Sequence, residues 1–207
     1  MMQDHIADLI VPPFVDRLQS DAPGVTLTVL PWQSPASLKL DQLQFIDAVI
    51  SCSTNEIAGL QREDLFSDSE VTVVRKGHPF SSRMKNLKVF LNAMHVAVVG
   101  KGINEDPVDA WLRQKGFARR IMLRVPSYLQ ALEAVAGSNL VAFVPKRLAE
   151  SFAGRFSLTL ARPPIDPGTY QEFIFYPLRA IRDPASIWLR NLTLDIGRRF
   201  QHVRQAT

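Results

Sequence analysis

The chain has 207 residues, of which 46% are hydrophobic and 21% charged. That balance excludes wholesale disorder, and the length suits one large domain or two small ones at ~100–200 residues each. No apolar run approaches the ~18–20 residues that cross a bilayer, and the mild net charge of +4 reads as a solvated surface rather than a nucleic-acid site.

From the N-terminus, Ile6, Leu9, Ile10, Phe14 and Leu18 recur at helical spacing. Pro12-Pro13 falls inside that pattern and predicts a break, with the prolines opening a second short helix. Short apolar runs predict strands at Val25–Leu30, Phe45–Ile50, Val71–Val74, His95–Val99, Ile121–Val125, Leu140–Val144, Leu158–Leu160 and Phe173–Tyr176. Several lack polar alternation, as strands covered on both faces of a parallel sheet do. Helices alternate with them. Asp106-Pro107 gives an N-cap and a first-turn proline, Ser127 with Gln130 has capping-box spacing, and Pro145 and Asp183-Pro184 open two more. The polar turn Arg75-Lys76-Gly77-His78-Pro79 and the stretch Arg162-Pro163-Pro164-Ile165-Asp166-Pro167-Gly168 mark places where the chain passes between two lobes. The fold class expected is α/β, two doubly wound lobes with two crossovers. Lobe one is residues 1–74 plus 161–207, and lobe two is residues 75–160.

In an open α/β sheet, ligands collect beyond the carboxyl ends of strands, near helix N-termini with unpaired N–H groups. Three loops meet that condition: Ser51, Cys52 and Ser53 behind the Phe45–Ile50 run, Gly100-Lys101-Gly102 behind His95–Val99, and Ser127-Tyr128 behind Ile121–Val125. The two glycines admit close backbone approach, and Lys101 attracts a carboxylate. A carboxylate-bearing or aromatic metabolite is the expected ligand. The bland alternatives are plain: Ser127 as a helix cap, Cys52 as a small buried apolar residue, Tyr128 as core. Glu105, Asp106 and Asp109 read as favourable charges in a helix's first turn. The sequence has no His-Glu-x-x-His, no Gly-x-Ser-x-Gly elbow and no phosphate loop. An enzyme is therefore the last-ranked reading, and no cofactor or metal is expected.

Four stretches resemble, in order, the effector-binding domain of LysR-type transcriptional regulators. They are Leu18…Ala22-Pro23-Gly24-Val25-Thr26-Leu27, Leu43-Gln44-Phe45-Ile46-Asp47-Ala48-Val49-Ile50, Val71-Thr72-Val73-Val74-Arg75-Lys76-Gly77-His78-Pro79, and Leu129…Ala134-Val135-Ala136-Gly137-Ser138-Asn139-Leu140-Val141-Ala142-Phe143-Val144-Pro145. The resemblance implies a fold similar to type 2 periplasmic binding proteins, with a small-molecule effector between the lobes. It also implies self-association as a dimer or tetramer, a cytoplasmic location away from membranes, and DNA binding through a helix-turn-helix domain that would precede residue 1. Family members place a strand just before the first helix. Only about two residues precede it here, so that strand is expected to be missing from lobe one. An extracytoplasmic solute-binding protein of a transporter is the alternative on the same fold. The start Met1-Met2-Gln3-Asp4-His5, without a secretory pattern, and the single Cys52 weigh against it.

Overall fold

The computed structural model describes residues 1–33, 44–100 and 105–202. It divides into two compact units, one of Met1–Asp68 with Tyr170–Thr207 and one of Ser69–Thr169.

In the first unit, helix α1 (Asp4–Asp21) and the last helix, α6 (Pro184–His202), pack against each other. They bury Ile6, Ile10 and Phe14 with Leu192 and Ile196, over Ile50, Leu65 and Phe66 of the strands. Asp183 caps α6 by accepting from the Ser186 amide at 2.8 Å, which holds its carboxyl below the ordinary range. Strand β1 (Val49–Ser51) pairs antiparallel with β7 (Thr169–Pro177), and β7 lies beside β2 (Leu60–Arg75). Two expectations fail in this unit. Helix α1 runs unbroken through Pro12 and Pro13. The ~3 kcal/mol that an interior proline costs is offset by burial of Ile6, Ile10 and Phe14 on both sides of the pair, at ~1.5–3 kcal/mol each. Val25–Leu30 is extended but forms no strand. Among the described residues, its end is bridged to the two residues ahead of α1, in parallel, between Met2 and Pro31. A strand needs a ladder, and among the described residues one rung exists.

In the second unit, β2 continues to Arg75 and pairs antiparallel with both β5 (Ala142–Pro145) and β6 (Leu158–Ala161). The chain enters this unit along β2 and leaves it after β6, so the two must run in opposite senses when they lie side by side. Parallel pairing, expected more widely, is confined among the described residues to β3 (Met94–Val98) with β4 (Arg120–Val125) and to the bridges His95–Val141 and Met2–Pro31. Helices α2 (Leu87–Asn92), α3 (Pro107–Gln114), α4 (Tyr128–Ala136) and α5 (Lys146–Phe152) connect these strands. The core gathers Val73, Val96, Leu132, Val135, Ala142 and Leu148.

Gly197 shows how closely α6 lies on β2: a Cβ there would stand 2.5 Å from Leu65 Cδ1 and 3.0 Å from the Leu65 carbonyl oxygen. Over-packing of this kind costs about 1–3 kcal/mol. Gly197→Ala is therefore expected to lower the melting temperature by several degrees in a calorimetric scan, despite alanine's better helix propensity.

Candidate functional site

In the second unit, β3 and β4 end side by side. Val98 faces Val125, and the Val99 amide donates to the Val125 carbonyl at 2.9 Å. The residues that follow, Gly100 and Pro126-Ser127, therefore leave adjacent parallel strands at the same end. Ser127 is the N-cap of α4, its hydroxyl accepting from the Gln130 amide at 3.3 Å. Tyr128 is half-buried against the core, which accounts for its apolar body. The structure thus brings Gly100, Ser127 and Tyr128 to one end of one parallel strand pair. Lys101 and Gly102 lie outside the described residues.

In the first unit, Ser51 ends β1 opposite Phe173 and is buried. Its hydroxyl accepts from the Ser53 amide at 3.2 Å, and the Ser53 hydroxyl accepts from the Asn55 amide at 3.3 Å. These two hydroxyls bend the chain away from the strand. Cys52 is exposed, which corrects its reading as a small buried residue. All three residues of β1 are buried, and Cys52 is the first residue beyond the strand, where the chain leaves the sheet.

The sequence did not reveal what holds the β3–α3 connection. Asp106 caps α3, accepting from the Val108 amide through Oδ1 at 2.9 Å, as the Asp-Pro pair suggested. Its other oxygen accepts from the Val98 amide at the end of β3 at 2.8 Å and from Arg119 Nη2 at 2.8 Å. Arg119 also donates from Nε to Asp109 at 2.6 Å. Asp106 and Asp109 are thus more than first-turn charges: with the buried Arg119 they form an ion cluster that closes the loop at its base. Burial raises the Asp106 carboxyl above its ordinary range, against the pull of Arg119 and of the two amides. His95 lies close enough for Arg119 to depress it further. Its ring is fully buried, donates from Nε2 to the Phe90 carbonyl at 2.7 Å, and is held down to about 4, chiefly by burial.

Among the described residues, no group of three His, Cys, Asp or Glu side chains is placed to hold a metal ion, and no helix is long and apolar enough to cross a membrane.

A family profile described as the LysR substrate binding domain matches residues 1–196. This chain belongs to that family. It is 28% identical over 187 residues to the HTH-type transcriptional activator NagR of Ralstonia sp, covering 90% of this chain and 62% of that protein. The chain thus spans about three-fifths of the length of the curated relatives it matches. Among solved structures, the probable transcriptional regulator PA0477 from Pseudomonas aeruginosa superposes with a TM-score of 0.83 at 25% identity, over 93% of this chain and 63% of that one. The CcmR regulatory domain of Synechocystis PCC6803, solved in complex with 2-PG, superposes at 0.78 with 14% identity, over 97% and 96% of the two chains, and shares the fold. The α/β fold with two crossings, similar to periplasmic binding proteins, is therefore that of LysR regulatory domains.

Two measurements follow from the ion cluster. Arg119→Met leaves two carboxylates beside a buried strand end and is expected to cost about 3–5 kcal/mol, read as loss of the folded baseline in urea titration. His95 is neutral when folded and has an ordinary value of 6.5 when unfolded, so the unfolded chain binds the extra proton. Stability is expected to fall as pH drops from about 6.5 to about 4, by roughly 3 kcal/mol in all, and His95→Gln is expected to flatten that slope.

Proposed function

We propose that this LysR substrate-binding domain is the ligand-sensing part of a transcriptional regulator. It binds a small carboxylate-bearing or aromatic metabolite between two lobes and passes the change to a DNA-binding domain outside this chain. The lobes are proposed as residues 1–74 plus 161–207 and residues 75–160, with Val71–Val74 and Leu158–Leu160 as the hinge strands. Self-association, as a dimer or tetramer, carries the bias onward in the cytoplasm. No catalysis and no cofactor enter this reading.

The observation that carries the ligand site is the pair of parallel strand ends in the second unit. Gly100 and the capped N-terminus of α4 leave the sheet together, beside a loop whose base Asp106 pins to β3. A helix N-terminus of this kind favours an anion by ~0.3–1 kcal/mol, and Lys101 adds a cation in the same loop. Ser51, Cys52 and Ser53 are proposed as the contacts from the first unit, with Gly102 and Tyr128 completing the set. A ligand acts as a switch only through its different affinity for two arrangements, typically worth ~1–3 kcal/mol. The relatives' character as transcriptional regulators favours this reading over a solute-binding protein feeding a transporter.

Benzoate and succinate are suitable probes in a thermal-shift titration of the chain. A probe at one hundred times its dissociation constant stabilises by about 2.7 kcal/mol, a rise of roughly 5–10 °C for a domain of this size. Lys101→Ala and Ser127→Thr, which keeps a capping oxygen but adds a methyl group, are expected to abolish the rise while leaving the unliganded melting temperature near that of the parent. Equal shifts in parent and variants, or none with either probe, would remove the site from these residues.

A further inference from the structure

The net charge of +4 is the sum of two unlike parts. The second unit, Ser69–Thr169, has 15 Lys and Arg against 7 Asp and Glu, whereas the rest of the chain has 9 against 13. Within that unit, residues 71–104 hold six Lys or Arg and no carboxylate. Five of the unit's seven carboxylates, Glu105, Asp106, Asp109, Glu150 and Asp166, are already paired with Arg113, Arg119, Lys146 and Arg162. The excess positive charge therefore rests on other side chains. Strand direction gathers much of it at one end of the sheet. β5 bridges β3 in parallel, and β2 runs antiparallel to β5. Arg75, at the end of β2, thus stands where β3, β4 and β5 begin, opposite the end at which Val98 and Val125 lead to the candidate ligand residues. Contacts make the charges contiguous. The Lys76 amide donates to the Ser157 carbonyl at 2.8 Å, two residues beyond Arg155. Arg75 donates to Asn139 Oδ1 from Nε at 3.1 Å and from Nη2 at 2.8 Å, and the Asn139 carbonyl meets His78 Nε2 at 3.1 Å. The His78 ring packs edge-on against Phe80, over which the Arg83 guanidinium lies at 5.1 Å. Arg155 lies over the stacked rings of Phe152 and Phe156, at 5.9 and 5.4 Å. Lys76, Arg83 and Arg155 are exposed, and among the described residues none of these four cations has a carboxylate partner.

We propose that this ridge of the second unit, built on Arg75, Lys76, Arg83 and Arg155, docks on the sugar-phosphate backbone of double-stranded DNA without reading its sequence. Solubility alone asks only for mobile charges. Here three arginines are held in place by an amide or by aromatic faces, so their planar forks are oriented before any anion arrives, which suits phosphate oxygens. A protein partner fits less well, because protein interfaces are depleted of charge at their centre, and of Lys in particular. A surface that is strongly and uniformly positive has the composition of a DNA-facing one. Single strands fit less well too. They are bound by bases stacking on open aromatic rings, and here Phe80 and the Phe152–Phe156 pair already carry arginines. What remains is backbone contact, which is electrostatic and indifferent to base order.

Anisotropy of a labelled duplex of arbitrary sequence, titrated with the 207-residue chain, tests this. With roughly four phosphates neutralised, affinity is expected to fall about a hundredfold between about 50 and about 200 mM salt. The triple variant Lys76→Gln, Arg83→Gln, Arg155→Gln is expected to bind at least ~10-fold more weakly at the lower salt and with a flatter salt dependence. A second triple, Arg17→Gln, Lys146→Gln, Arg198→Gln, removes the same charge elsewhere and is expected to bind nearly as the parent does. In the parent, the duplex is expected to slow hydrogen exchange at residues 76–83 and 153–157, a readout that needs no variant. No binding by the parent at the lower salt overturns the proposal. Equal losses in the two triples do so as well, since net charge alone would then account for binding. Polyglutamate of equal charge binding as tightly as the duplex would assign the ridge to acidic protein surfaces. A parent dimer that the first triple dissociates, without any duplex binding, would assign it to a second copy. No effector probe enters these measurements, so their outcome is separate from that of the ligand site.

Discussion

One carboxylate sets the end of the second unit where the candidate ligand residues emerge. Asp106 bonds at once to the last paired stretch of β3, to the first turn of α3 and to the buried Arg119. A helix capped by a free side chain would begin wherever its loop allowed. Here the cap is also tied to the sheet, so helix start and strand end are fixed relative to each other. The arginine makes the arrangement tolerable, since an unpaired carboxylate beside these apolar strands would protonate or pull the structure open. The parallel partner β4 supplies the rest, because strands aligned by Val98–Val125 pairing deliver their loops to one edge.

How far the sequence foresaw this depends on the range of the interaction. Signals confined to a few residues were legible. Asp106-Pro107, Ser127 with Gln130 and Asp183-Pro184 each open a helix in the structure, because capping is settled within one turn. The apolar runs near residues 95, 121 and 173 are strands: β3 and β7 are buried along most of their length, whereas β4 alternates exposed and half-buried positions. Signals that depend on distant partners were not. Nothing local says that Pro12 and Pro13 sit in one helix, because α6 supplies the burial that holds it together. Nor does anything local say that Val25–Leu30 lacks a ladder, which is a property of its neighbour. The pairing of Arg119 with Asp106 joins residues thirteen apart across a helix and a turn, and no spacing rule announces it.

The candidate site shows the same division. Loops at strand ends can be found from apolar runs followed by glycine, serine and lysine, and Gly100 and Ser127 do leave adjacent strands. What each hydroxyl does is a matter of local geometry that composition does not carry. Ser51 and Ser53 turn the backbone and Ser127 caps a helix, and a ligand role for these loops is part of the reading proposed above.

The exposure of Cys52 has a practical side. It is the chain's sole sulfhydryl and stands one position beyond β1, next to a buried serine. A maleimide dye would attach at one place per molecule, with no engineered substitution, on the loop that the first unit is proposed to contribute to effector contact. The protein thus comes with its own attachment point for an optical reporter of occupancy.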